Sequence, residues 1–84
     1  MFDNDNRKSY ISEGTAGAGT TLNIGFSSNL IEIINDGTVD LEFKFKTADT
    51  YATIKAKESF TVPYETTTII LNGTEAYRVR AYGS

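Results

Sequence analysis

The chain has 84 residues, 39% of them hydrophobic, including five Phe and five Tyr; that suffices for one domain with a modest core, since a protein this small buries only about 60–65% of the surface its unfolded chain exposes. A formal charge of −3 with no clustered basic residues excludes nucleic acid as the main partner, because phosphate binding requires concentrated positive charge. There is no Cys and no His, which excludes a disulfide framework and thiolate metal ligation and removes the commonest general base and thiol nucleophile.

Residues 1–19 differ in texture from everything that follows. A charged, Asn-rich opening leads into Gly14-Thr-Ala-Gly-Ala-Gly19, and the sizeable apolar residues there are Phe2, Tyr10 and Ile11. This composition reads as a flexible N-terminal arm. The opening has no apolar stretch of signal-peptide length, and no run approaches the roughly 18 apolar residues of a membrane helix. The expectation is a protein made in the cytoplasm with no membrane partner.

From residue 20 to 84 the pattern is that of strands. Leu22, Ile24 and Phe26 alternate with Asn23, Gly25 and Ser27, the period of two that sends one set of side chains to a core. In Ser28 to Lys46, two apolar patterns flank Asn35-Asp36-Gly37 and read as a central hairpin. Leu41, Phe43 and Phe45 mark the core side of its second strand. Ile54 lies on a strand of small inward residues, and Phe60 and Val62 on the next, which Pro63 ends by removing a ladder donor. Thr66 to Leu71 is β-branched, Asn72-Gly73 has the composition of a type I′ hairpin turn, and Ala76 to Tyr82 completes the pair.

Turns recurring every 8–12 residues, without helical apolar spacing, predict an all-β fold: a compact antiparallel β-sandwich of about seven strands, with jelly-roll and Ig-like topologies both open. The expected core is Leu22, Ile24, Phe26, Ile31, Ile33, Leu41, Phe43, Phe45, Ile54, Phe60, Val62, Ile69, Leu71, Tyr77 and Val79.

The chemical motifs are weak. The glycine run around Gly14 and Gly19 has the spacing of a phosphate loop, but Thr20 stands where that loop requires lysine. Asp3-Asn4-Asp5-Asn6 begins like a calcium loop and then places Lys8 at the obligatory glycine. Asp36, Asp40 and Asp49 have the spacing of turn residues, with shared calcium binding as the sharper alternative. Asn72-Gly73-Thr74, a formal glycosylation acceptor, reads as a turn. No cofactor, metal or catalytic residue is expected, and the chain reads as a non-enzyme.

The polar feature with most content is the last strand, where Arg78, Arg80 and Tyr82 share a face. Cross-strand pairing with Glu58 or Glu42 is one reading; a contact surface is the other, because Arg and Tyr are favoured at interfaces. Leu30, Ile34 and Ile70 lie on strand faces opposite the core. With the arm residues they give the candidate interface set Phe2, Tyr10, Ile11, Leu30, Ile34, Ile70, Arg78, Arg80 and Tyr82, and predict a homo-oligomer. Tyr10, Tyr51, Tyr64 and Tyr82 are the candidate platforms for a sugar.

From Ile33 to Gly83 the order IINDG, LEFKF, IKAKESF, TTIIL, AYRVRAYG resembles small β-sandwich virion proteins of tailed bacteriophages, of the head-decoration, head-fibre or tail accessory type. The resemblance implies a structural protein without chemistry that assembles in rings or trimers and attaches to capsid or tail proteins through an arm or flat sheet face. It also implies location in the virion. The alternatives are a carbohydrate- or host-surface-binding β module and an Ig-like domain of a larger adhesin; the latter is disfavoured by a chain that starts at Met and stops just after its last strand.

Overall fold

The computed structural model describes residues 7–84. Eight strands form two four-stranded antiparallel sheets: β1 (Lys8–Thr15), β2 (Thr20–Asn23), β3 (Leu30–Asn35), β4 (Leu41–Lys44), β5 (Ala52–Ile54), β6 (Ser59–Val62), β7 (Thr68–Asn72) and β8 (Ala76–Gly83). Sheet A has the order β1-β8-β3-β6 and sheet B the order β2-β7-β4-β5. This pairing is the double Greek key of a jelly roll, so the β-sandwich expected from the alternation is present and its topology is not Ig-like.

The core lies between the sheets. Ile31, Ile33, Ile69, Leu71 and Val79 are wholly buried, and Leu22, Ile24, Leu41, Phe43, Ile54 and Tyr77 nearly so. Phe26, Phe45, Phe60 and Val62, expected inside, are partly buried and pack against that cluster. Ala16 and Ala81 join it without having been expected. Ala81 fits because it sits opposite Tyr10 in the β1–β8 ladder and opposite Ile31 in the β3–β8 ladder, where a larger side chain would overfill the layer.

The expected arm is corrected over most of its described length. Lys8–Thr15 is a full strand, paired residue by residue with β8 from Lys8↔Gly83 to Thr15↔Ala76. Its inward side chains are Tyr10, Ser12 and Gly14. Tyr10 packs on the core, the Ser12 hydroxyl lies 3.1 Å from the Tyr77 hydroxyl, and a Cβ at Gly14 would sit 3.6 Å from that same hydroxyl. Small and polar inward residues suit a strand lying over a tyrosine ring, although they read as a linker. The glycine run becomes the β1–β2 turn, with Gly19 at φ 67 and the Gly17 amide donating to Thr20 Oγ1 at 2.9 Å.

Both expected hairpins are also corrected. β3 and β4 lie in different sheets, as do β7 and β8. Asn35-Asp36-Gly37 and Asn72-Gly73 therefore form corners that carry the chain across the sandwich. Neither Asn72 nor Gly73 has the positive φ that a type I′ turn requires. Gly37 is needed for close approach: a Cβ there would lie 2.6 Å from Glu75 Cβ. The consecutive strands that do pair are β4 and β5.

Candidate functional site

The outer face of sheet A gathers most of the candidate interface residues. Antiparallel partners share a face, so the register stacks Ser9, Tyr82 and Leu30 in one row, Ile11, Arg80, Glu32 and Thr61 in the next, and Glu13, Arg78, Ile34 and Ser59 in a third. Ile11, Leu30, Ile34, Arg78, Arg80 and Tyr82 are thus on one surface. Ile11 is 64% exposed, and Leu30 and Tyr82 are each 38% exposed. Three expected members are elsewhere. Tyr10 faces the core, because its neighbour Ile11 takes the outward position. Ile70 is nearly buried on the outer side of sheet B, beside Thr21 and Lys44. Phe2 lies outside the described residues.

The two arginines are engaged within this face, and their partners differ from those expected. The Arg78 guanidinium donates through Nε to Asp36 Oδ2 at 2.7 Å and through Nη2 to Asp36 Oδ1 at 3.0 Å. Arg80 Nη1 donates to Glu32 Oε1 at 3.0 Å. Glu42 is on the outer side of sheet B, where it accepts from Asn72 Nδ2 at 2.6 Å, out of reach of either arginine. The face therefore presents balanced, internally paired charge in its middle, with apolar groups at Ile11, Leu30 and Tyr82.

At one end, the β3–β4 corner is tied from several sides. Asn35 is 2% exposed; its Nδ2 donates to the carbonyls of Val39 at 2.8 Å and Ile54 at 2.9 Å, and its Oδ1 accepts from the Gly37 amide at 2.9 Å. Lys57, at φ 65, donates Nζ to the Asp36 carbonyl at 2.7 Å. Glu75 accepts from the amide and hydroxyl of Thr38. Hydrogen bonds from Arg78 hold the Asp36 carboxyl below its usual range, against desolvation, with the positive charges of Arg78 and Lys57 adding to the effect. The Thr38 amide and hydroxyl do the same for Glu75. A carboxyl whose folded pKa is depressed contributes stability that is present above its unfolded pKa and lost as pH falls through the folded one. The urea midpoint should therefore be flat from neutral pH down to about 5 and fall below about pH 4. Asp36→Asn should lower the plateau and make the acid limb shallower; an unchanged acid limb would show that this corner does not govern acid unfolding.

At the other end of the same face, the start of β1 and the end of β8 border a shallow pocket of about 520 Å³, whose lining includes Lys8, Asn29, Leu30, Tyr82 and Ser84. Of the candidate sugar platforms, Tyr82 alone is well exposed. Tyr10 packs on the core, Tyr64 stacks on Phe45 at 4.4 Å between centroids, and Tyr51 has Lys44 Nζ 4.4 Å above its ring.

Two polar side chains are buried among the described residues, Ser28 and Asn35. Ser28 donates to the Tyr64 carbonyl at 2.7 Å and accepts from the Thr66 amide at 3.1 Å, so both residues are committed to backbone. Among the described residues no three acidic, His or Cys side chains converge as a metal site. Asp36 is held by Arg78, and Asp49 accepts from the Lys46 amide at 3.2 Å in its own turn, the turn role expected of it.

No protein family and no curated protein matches the chain by sequence. In three dimensions it is similar to an RmlC-like cupin protein from Desulfovibrio desulfuricans, with 16% identity and a TM-score of 0.57 over 99% of this chain and 76% of that one. It is also similar to a cupin domain from Bordetella pertussis Tohama I, with 14% identity and a TM-score of 0.58 over 100% of this chain and 88% of that one. The fold is a cupin-like jelly roll. At such identities the likeness extends to architecture alone.

Proposed function

We propose that the chain is a non-enzymatic structural protein of a bacteriophage particle, a capsid-decoration or head/tail accessory subunit, which self-associates and attaches through the outer face of sheet A. The observation that carries this reading is the collection of Ile11, Leu30, Ile34 and Tyr82 around paired arginines on one sheet face. Apolar and aromatic groups beside satisfied charges make an interface without stranding an unpaired ion. The resemblance of residues 33–83 to small phage β-sandwich proteins supplies the particle. The part of the expected arm that forms β1 contributes Ile11 to that face as a strand.

Light scattering at micromolar concentration should give a multiple of the 9.2 kDa chain mass. Leu30→Lys, at a half-exposed position, should leave the melting temperature within a few degrees while weakening assembly at least about tenfold, because a desolvated unpaired charge costs more than 1.4 kcal/mol. Mass spectrometry of purified particles should find the chain at fixed stoichiometry to the coat protein. A clean monomer missing from particles would overturn the reading. Glycan-array retention that Tyr82→Ala abolishes would replace it with sugar binding in the pocket beside Tyr82.

A further inference from the structure

Sheet A ends on β1, and among the described residues no strand covers its outer edge. Folded proteins blunt such edges with short strands, prolines or central charges, because an unpaired row of amides and carbonyls is a template for another chain. The other three edges follow that rule. β6 has four residues and runs into Pro63, β2 has four and β5 three. β1 does not: it has eight residues, no proline, and an uncharged centre, Ser9-Tyr10-Ile11-Ser12, carrying the most exposed of the large hydrophobic side chains, Ile11.

We propose that a second copy of this chain adds to the β1 edge, antiparallel, about a two-fold axis at Ile11. The proposal rests on the self-association read above and names its surface and register. A two-fold normal to the sheet keeps both outer faces on one side, so facing residues must have the same parity. A centre at Ile11 uses residues 8–14 of each strand, more of β1 than a centre at Tyr10. It sets Ile11 against Ile11, Ser9 against Glu13, Tyr10 against Ser12 and Lys8 against Gly14. No like charges meet, and a hydroxyl faces a carboxylate. A centre at Ser12 would instead set each Ile11 against Glu13, and one at Tyr10 would set it against Ser9. The resulting eight-stranded sheet joins the two outer faces into one surface with the Ile11 pair in the middle.

The chain has no cysteine, so single thiols read the register directly. Residues facing each other across an antiparallel pair have Cα atoms about 4.5–5.5 Å apart, within the roughly 4.4–6.8 Å of a disulfide. Under mild oxidation Ile11→Cys should convert most of the protein to a covalent dimer. Glu13→Cys, four residues out of register with its symmetry mate, and Thr61→Cys on β6 should stay monomeric on a non-reducing gel. Ser9→Cys mixed with Glu13→Cys should give a heterodimer that neither forms alone. If the parent chain is oligomeric by light scattering and Ile11→Cys cross-links no faster than Thr61→Cys, the edge is wrong and the self-association reading stands. A monomeric parent chain overturns both.

Discussion

Asn35→Ala should destabilise the domain by roughly 2–4 kcal/mol, because truncation strands two carbonyls and an amide around a side chain that is 2% exposed, and each buried orphan costs about 1–3 kcal/mol with partial relaxation. At about 4–8 °C per kcal/mol for a domain of this size, the melting temperature should fall by roughly 10–30 °C. The amide does what a backbone ladder does elsewhere: it joins β3 to the β3–β4 corner through Val39 and to β5 through Ile54, and so fastens sheet A to sheet B. Asn35→Asp is the sharper probe. It keeps the acceptor for Gly37 but turns the donor into a carboxylate oxygen facing two carbonyls, and should be at least as damaging as alanine. A melting temperature unchanged in both variants would mean that the corner is held by the Asp36–Arg78 ion pair and the hydrogen bonds of Glu75 and Lys57 instead. Arg80→Ala, which removes a partly exposed pair with Glu32, should cost no more than about 1 kcal/mol and provides the comparison.

Phe43→Ala should have the second large effect, about 3–5 kcal/mol, against a total stability of about 4–13 kcal/mol for a chain of this length. Phe43 is 5% exposed and stands in a line of rings: 4.7 Å from Phe60 and 5.6 Å from Phe45, which in turn stacks on Tyr64 at 4.4 Å. Phe60 belongs to sheet A and Phe43 to sheet B, so the line spans the layer between them. Removing its second member leaves a cavity walled by Phe60 and Phe45, and both contacts are lost together. Phe43→Leu retains most of the volume and should cost less than about 1.5 kcal/mol. The ratio of urea midpoints between the two variants checks the argument; equal, small shifts would show that the rings do not hold the sheets together.

Much of the fold was legible because alternation reports which side chains face inward, and Leu22, Ile31, Ile33, Leu41, Phe43, Ile69, Leu71 and Val79 all face the core as their spacing required. Alternation does not report which sheet a strand joins. An inward Ile33 and an inward Phe43 fit one hairpin as well as two opposed strands, and Asn-Asp-Gly and Asn-Gly suit a corner as well as a tight turn. What distinguishes them is the contact of Gly37 with Glu75 and the bond of Asn35 to Ile54, which link residues far apart in sequence. β1 was missed for a related reason: its inward residues, Ser12 and Gly14, are shaped by Tyr77, a strand they do not adjoin in the chain. The candidate surface was half legible. Arg78, Arg80 and Tyr82 announced a common face, and Leu30 and Ile34 an unneeded apolar one, but only the β3–β8 register shows these to be the same face, and only the pairing of β7 with β2 and β4 places Ile70 on the other sheet.

The pairing of β1 with β8 also sets the order of events at synthesis. β8 is the second strand of sheet A, holding β1 on one side and β3 on the other, and it is translated after every other described strand. Until it emerges, β1 has no partner and β3 has only β6. Non-local pairing of this kind makes folding slow, on the scale of milliseconds to seconds. A nascent chain stalled just short of Ala76 should therefore be degraded by protease along its whole length, while one extended far enough for Gly83 to clear the ribosome should resist, so sheet A closes only when its last-made described strand inserts between the first and the third.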